Sequence, residues 1–369
     1  MAHRRKRLKD AMAEKAEKKR KARRRKRVFV LILELLILFA LLSVGYVLQK
    51  YGKIKSDIFN DENIFMNAGV IKEGYTTVAL FGGDSREGEL GAGTHADTIM
   101  VVSIDEKTKE VRIVSVYRDT PLRQENGEIL KANSAYFMGG PEEAISMLNR
   151  NLDLDIQDYV TVDFKALADA IDLLGGIEIS VSEAEAAELN RHIDGTAEAT
   201  GKEAVYVSEG LQTLDGVQAV TYARIRKNVG GDYARTERQQ LVIQKVVEKV
   251  KQTDLLTINE IINQVFSQVS TSFELKELIK LAAGVTQYEI QNTGGFPFEK
   301  TDGSIEGVGS VVVPLGFVEN VQELHEFLYP EEEYTISEII GDIAADIEYL
   351  TGYTRADYIP PEASTNTEE

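Results

Sequence analysis

The 369-residue sequence contains no cysteine. Disulfides are therefore excluded as a source of stability, and so is a thiol nucleophile, so whatever folds must rely on its core. Histidine is scarce too, with four in the whole chain. Three of them, His95, His192 and His325, fall in the long C-terminal part, and no two stand at zinc-ligand spacing, which argues against zinc hydrolysis. Neither a P-loop nor a GxSxG nucleophile elbow occurs. No internal repeat and no second domain boundary interrupts the C-terminal part.

Charge is abundant, and unevenly placed. Residues 1–27 hold 15 Lys/Arg against 3 Asp/Glu, a net of +12, and residues 28–48 carry Glu34 alone. Residues 49–369 hold 27 basic and 56 acidic side chains, a net of −29. Regions of such opposite sign face different surroundings. Val28 to Leu48 is an apolar run of 21 residues. At about 1.5 Å per residue it would span a bilayer core of roughly 30 Å. The basic run Arg23 to Arg27 precedes it, so the positive-inside rule places residues 1–27 in the cytoplasm and the acidic part outside the cell. The apolar run is too long for a signal-peptide core, and no small-x-small cleavage site follows, which favours an uncleaved anchor. Beside a membrane span, the basic tail reads as an orientation signal and a patch for anionic lipid rather than a nucleic-acid binder. The expected organisation is a cytoplasmic tail (1–27), a membrane helix (28–48), an extracellular stalk (49–73), a folded domain (74–355) and a disordered tail (356–369).

Within the domain, strands alternate with helices. Strands are expected at Thr76 to Gly82, Asp97 to Asp105 and Glu110 to Asp119, the last two as a hairpin. Pro141 opens a helix to about Asn151, and Tyr159 to Phe164 is a strand running into a helix that Gly175-Gly176 stops. A strand follows to Val181, and residues 183–210 show little period. Thr213 is expected to cap a helix through Arg226, and Asp232 a long one through about Lys251. Helices near 254–268 and 274–284, a strand at Ser310 to Pro314, and helices near 319–328 and 335–350 complete the pattern. This argues an α/β fold, with a mixed central sheet covered by helices on both faces.

Three groups of residues could carry chemistry. Asp84 lies just past the first strand and Asp97 opens the next; if these strands are antiparallel neighbours, both carboxylates share one sheet edge, a typical Mg²⁺ arrangement. Arg118-Asp119 ends the third strand, with Lys131 shortly after. The third group is Arg224 and Arg226, then Asp232, Arg235, Arg238 and Gln239. Arg224 and Arg226 can face one ligand only if their helix ends there. Arg235, Arg238 and Gln239 share a face in the first turns of the next helix, near the positive end of its dipole. Converging guanidiniums repel one another unless an anion lies between them, and bidentate phosphate contacts are their natural use.

The ordered motifs GGDSR, HADTIMV, SVYRD, KANSAY, VDF…IDLLGG and LDGVQAVTYARIR…GGDYARTERQQ resemble the LytR-CpsA-Psr family over roughly residues 75–250. VPLGFVENVQELHEFLYP also looks like the family's closing segment. The resemblance implies a phosphotransferase of the cell envelope that moves a glycopolymer, such as teichoic acid or capsule, from a polyprenyl-pyrophosphate carrier to peptidoglycan. It implies Mg²⁺ (or Mn²⁺) held by Asp84 and Asp97. It also implies phosphate contacts from Arg86, Arg118, Lys131, Arg224, Arg226, Arg235, Arg238 and Gln239. Arg118, Arg224 and Arg226 would be catalytic, with Asp119 and Asp232 as candidate bases. Two positions depart from the family pattern: His95 replaces an arginine, and Tyr117 a proline. A non-catalytic sensor of lipid-linked carriers and a carrier pyrophosphatase are the rival readings.

Overall fold

The computed structural model describes residues 45–49, 51–52, 55–56, 64–67, 70, 72–83 and 90–358. The chain divides into two units, Met1–Lys53 and Ile54–Glu369. In the first, residues 45–49 and 51 are helical, and the expected span lies outside the described residues over 28–44. Among the described residues, no helix is long and apolar enough to cross a membrane.

The second unit is built on a seven-stranded mixed sheet. Its strands are β1 (Lys55–Ser56), β2 (Tyr75–Gly83), β3 (Ala96–Asp105), β4 (Glu110–Val116), β7 (Asp158–Asp163), β10 (Val269–Thr271) and β11 (Glu289–Phe296). Their order is β1-β10-β7-β2-β3-β4-β11. Three two-stranded sheets flank it: β5 (Pro121–Arg123) with β6 (Ile129–Lys131), β8 (Ile177–Val181) with β9 (Gly210–Leu214), and β12 (Lys300–Ile305) with β13 (Gly309–Pro314). The helices are α1 (Asn133–Leu152), α2 (Phe164–Leu173), α3 (Glu183–Thr200), α4 (Gly216–Tyr222), α5 (Gly231–Gln252), α6 (Leu255–Val265), α7 (Leu275–Gly284), α8 (Phe317–Leu328) and α9 (Glu338–Thr351).

Successive strand residues point to opposite faces, and both faces are covered. Ile99 and Val101 of β3 and Val114 and Val116 of β4 join a core with Tyr136 and Leu148 of α1, Leu324 of α8 and Ile343 of α9. Their neighbours Met100, Val102, Val111 and Ile113 form a smaller core on the other face, against Ile243 of α5. Burial on both faces explains why β3 reads as a nearly continuous apolar run. A third cluster joins α2, α3, α4, β8 and β9 through Ile171, Leu189, Ile179, Leu214 and Val217.

Several boundaries differ from expectation for identifiable reasons. Within residues 183–210, Glu183–Thr200 form α3, because Ser182 and Glu185 make a reciprocal capping box at its start and Gly201 ends it. Asp215, not Thr213, caps α4, accepting from the Gln218 N–H at 2.8 Å, and α4 stops at Tyr222 rather than Arg226. Gly230, at φ 90°, precedes α5, so Asp232 sits inside the first turn instead of capping it. Helix α1 begins at Asn133 and kinks at Gly140 (φ 71°), and Pro141 opens its second part. The stalk expected over 49–73 needs correction at its C-terminal end. Ile64 is buried in the main core, the Phe65 N–H donates to Ser146 Oγ at 3.1 Å, and the Lys72 N–H donates to Asp155 Oδ2 at 2.8 Å. The apolar side chain and the two side-chain acceptors hold this segment on the body.

Candidate functional site

The site forms where β2, β3 and β4 end together. Strands β2 and β3 are antiparallel neighbours, with Gly82 opposite Thr98 and Gly83 opposite Ala96, so Asp97 is an extra residue at a β-bulge. Bulges re-aim side chains beside functional sites. Gly82 is required for this close approach, since a Cβ there would lie 2.9 Å from Thr98 Cβ. Asp84 and Arg86 fall outside the described residues. The hard carboxylate oxygen of Asp97 is of the kind that suits Mg²⁺. Among the described residues, no group of three or more His, Asp or Glu side chains could hold a metal ion.

Arg118 follows β4 and is the hub of the described cluster. Its Nη1 meets Asp97 Oδ1 at 2.5 Å and its Nε meets Asp119 Oδ2 at 3.4 Å. Asp119 in turn takes Lys131 Nζ of β6 at 2.9 Å. Burial alone would lower the Arg118 pKa, but Asp97, Asp119 and Asp232 outweigh it and raise the value. Burial would raise the Asp119 carboxyl, but Lys131 and Arg118 prevail and hold it below the ordinary range.

The early stop of α4 frees Arg224 and Arg226 from helical geometry, and both line one cavity of about 300 Å³ with Lys227. Arg224 lies over the Phe164 ring at 4.2 Å and donates to Thr196 Oγ1 at 3.3 Å. Arg226 is bonded to Asp232, which also takes Arg235 Nη2 at 2.9 Å. Arg235 is buried. Desolvation lowers its pKa to about 10, and the neighbouring Arg118 and Arg226 push the same way, against Asp232 and Asp97. The structure thus joins Asp97, Arg118, Asp119, Lys131, Arg226, Asp232 and Arg235 in one charged cluster, with Arg224 beside Arg226.

Arg238 is placed differently from expectation. Buried, it donates to the Ile225 and Val229 carbonyls at 2.6 and 3.0 Å, so it braces the loop that carries Arg226. Gln239 is half-buried on α5, while its neighbour Gln240 ties α5 to the sheet through Ser115 Oγ at 2.9 Å and the Gly294 carbonyl at 2.6 Å. His95 is exposed and stacks on Phe137, with ring centroids 4.5 Å apart. Tyr117 packs edge-on against Tyr233 at 5.2 Å, with Lys300 Nζ 5.0 Å from the Tyr117 ring centroid.

Sequence reasoning missed Asp302 of β12, which accepts from the Tyr233 hydroxyl at 2.9 Å and lines a cleft with Asp119 and Asp232. No sequence signal marks it, because it is seventy residues from Asp232 and reaches the site only through the β12–β13 pair. The buried carboxylate Glu188 is another such residue. It holds Arg191, His192 (Oε1 to Nε2 2.9 Å) and Asn228 (Oε2 to Nδ2 3.3 Å), and Asn228 belongs to the arginine loop.

The chain is similar to known proteins in sequence and in fold. The polyisoprenyl-teichoic acid–peptidoglycan teichoic acid transferase TagV of Bacillus subtilis is 28% identical over 57% of this chain and 54% of its own length. The chain thus matches about half of that relative. The corresponding TagU of Bacillus licheniformis is 26% identical over 79% of this chain and 94% of its own. Among solved structures, the Bacillus subtilis LytR-CPS2A-psr family protein YwtF (TagT), with bound octaprenyl pyrophosphate lipid, shares the fold. Its TM-score is 0.54 at 19% identity, covering 72% of this chain and 98% of that one. The LytR_cpsA_psr family model matches residues 43–323, and the chain is a member of that family.

Proposed function

We propose that the chain is a phosphotransferase that moves a teichoic-acid-like or capsule-like glycopolymer from a polyprenyl-pyrophosphate carrier to peptidoglycan. The observation that carries this reading is the half-buried cluster of Arg118, Lys131, Arg226 and Arg235 threaded by Asp97, Asp119 and Asp232. Cations gathered at such a cost in a net-acidic domain call for a polyanion, and a pyrophosphate supplies one. Family membership and the names of the transferase relatives support it. The chain would be anchored by residues 28–48 with the domain outside the cell, where polymer and peptidoglycan meet.

In this mechanism, Arg118, Arg226 and Arg235 bind and orient the two phosphates, and Arg224 extends the cationic surface. An acceptor hydroxyl oxygen forms a bond to the polymer-side phosphorus. The bridging P–O bond breaks, and its electron pair leaves with polyprenyl phosphate. The hydroxyl proton passes to one carboxylate, with Asp119 and Asp232 as the two candidates. The guanidiniums stabilise charge on the equatorial oxygens as the transition state loosens. Asp84 and Asp97 would hold Mg²⁺ (or Mn²⁺), which when bound supplies further charge neutralisation.

The test incubates the full chain in detergent with a polyprenyl-pyrophosphate oligosaccharide, Mg²⁺ and peptidoglycan fragments, read by mass spectrometry. A phosphodiester-linked conjugate that falls by about a hundredfold or more in Arg118→Ala supports the transferase. Free glycan phosphate without conjugate would point to a pyrophosphatase, and bound but unchanged lipid to a sensor.

A further inference from the structure

Two cavities of opposite character meet at one ion pair. On one side, Arg224, Arg226, Lys227 and His192 line the cavity of about 300 Å³. On the other, Asp119, Asp232, Asp302, Ser304, Ser310 and Tyr353 line a cleft of about 640 Å³. Arg226 belongs to the first and Asp232 to the second, and these two side chains are bonded to each other. We propose that the carboxylate-lined cleft is the acceptor subsite, built for an uncharged sugar ring with a free hydroxyl. This inference rests on the transferase reading above.

The cleft is a constructed surface. In the β12–β13 pair, Asp302 stands opposite Val312 and Ser304 opposite Ser310, so these four share one face of the ribbon. The Val312 N–H donates to the Asp119 carbonyl at 3.0 Å, which fixes that face against the charged cluster. The Tyr233 hydroxyl holds the Asp302 carboxylate at 2.9 Å. Tyr353 lines the cleft at the ribbon's edge, and Gly303 leaves it room, since a Cβ there would lie 3.4 Å from Tyr353 Cε2.

This lining matches a sugar. Carboxylates accept from sugar hydroxyls, serine hydroxyls give and accept, and an aromatic ring packs on the C–H face of a pyranose. It also rejects the donor polymer. An anionic chain entering the cleft would meet Asp302, whose bonded partner is a neutral phenol, whereas the opposite cavity offers it Arg224 and Lys227. In-line displacement places nucleophile and leaving group on opposite sides of the phosphorus. A phosphate held at the Arg226–Asp232 partition has the cationic cavity on one side and the carbohydrate cleft on the other.

The test measures calorimetric binding of uncross-linked, muramidase-released peptidoglycan fragments to the full chain in detergent. Variants are Ser304→Arg, which blocks the ribbon face, and Asp302→Asn, which keeps its shape and removes its charge. Fragment affinity should fall about tenfold or more in each, as expected for a lost charged hydrogen bond or a blocked face, while inorganic pyrophosphate still binds and reports an intact fold. The subsite is refuted if wild-type protein binds no fragments, or if both variants bind them as wild type does. Fragment binding lost in the variants, with no transfer by any form, would keep the carbohydrate site and discard the transferase. Transfer with unchanged acceptor KM in both variants would do the reverse.

Discussion

Asp232 is the carboxylate around which the arginines gather, so Asp232→Asn is the most informative single change. The Arg235 side chain is only 7% exposed. Its pKa falls from the ordinary arginine value to about 10 through burial, with Arg118 and Arg226 adding to the effect and Asp232 opposing it. A depression of that size corresponds to roughly 3 kcal/mol against the charged form, even with the carboxylate present. Asparagine keeps the shape of Asp232 and removes the ion pairs to Arg226 and Arg235. Removing one partner of a fully buried pair costs about 3–5 kcal/mol. Asp232 is 28% exposed, so water screens part of the loss, and about 2 kcal/mol is expected. Urea denaturation of the full chain reads this as a lower midpoint, followed by tyrosine fluorescence because the chain has no tryptophan. The second arm adds inorganic pyrophosphate. At about 100 times its Kd, a ligand of the native state adds roughly 2.7 kcal/mol. With the competing carboxylate neutralised, Asp232→Asn should bind pyrophosphate more tightly than wild type and recover more stability than wild type gains. A variant as stable as wild type, or equal stabilisation of both by pyrophosphate, would show that the guanidiniums are not held in mutual repulsion around an anion site.

Gly82→Ala should destabilise the domain by about 1–3 kcal/mol through overpacking at the bulge, and Thr98→Gly should relieve it in the double variant; denaturation midpoints check both. Acid lability should trace to His325, which is buried, hydrogen-bonded to the Leu152 carbonyl at 2.9 Å and stacked on Tyr334. Burial lowers its pKa to about 4, so between that value and the ordinary 6.5 the unfolded chain binds more protons. Stability is therefore full above about pH 6.5, declines as pH falls, and levels off below about pH 4 after a loss of roughly 3 kcal/mol. Urea midpoints at pH 4 and pH 7 should differ less in His325→Phe than in wild type. Glu188→Gln should loosen the Asn228 turn beneath Arg226 and weaken pyrophosphate binding, with calorimetry as the readout.

Fold class was legible because it rests on local periodicity. The apolar run of β3, the Asp163 cap of α2 (Ala166 N–H to Oδ1 at 2.6 Å) and the Gly175-Gly176 stop at φ 77° and 83° are each written in a few adjacent residues. The charged cluster was legible for a similar reason, since Arg118-Asp119 and Arg224 to Arg235 lie in short motifs at element ends. What escaped depends on distant partners. Residues 183–210 lack a clear period because α3 (Glu183–Thr200) turns only Leu189, Ile193 and two alanines to a small local core, and its capping box is what marks its start. Arg238 shares a helical face with Arg235, yet one turn along α5 it meets the Ile225 and Val229 carbonyls, which no spacing rule reveals. Asp302 owes its place to a ribbon of which β13 was legible as the apolar run Ser310 to Pro314, whereas β12, with Lys300, Asp302, Gly303 and Ser304, looks like loop in sequence.

The charge balance of the cluster says which of these residues a diphosphate needs. Arg118, Lys131, Arg226 and Arg235 face Asp97, Asp119 and Asp232, so four cations against three carboxylates leave a net of +1. Each phosphate of a carrier diphosphate brings a negative charge, more than that surplus can neutralise. Arg224 and Lys227, on the same cavity as Arg226, raise the surplus to +3. His95 stands where the resemblance implies an arginine, so a permanent positive charge is missing at that position. The burden therefore falls on the loop that Glu188 and Arg238 brace. Arg224→Ala should cost this chain more pyrophosphate affinity than the same change would if position 95 were an arginine. Restoring His95→Arg in the Arg224→Ala background should recover binding, measured by calorimetry with inorganic pyrophosphate. No recovery would mean that the two positions serve different parts of the ligand.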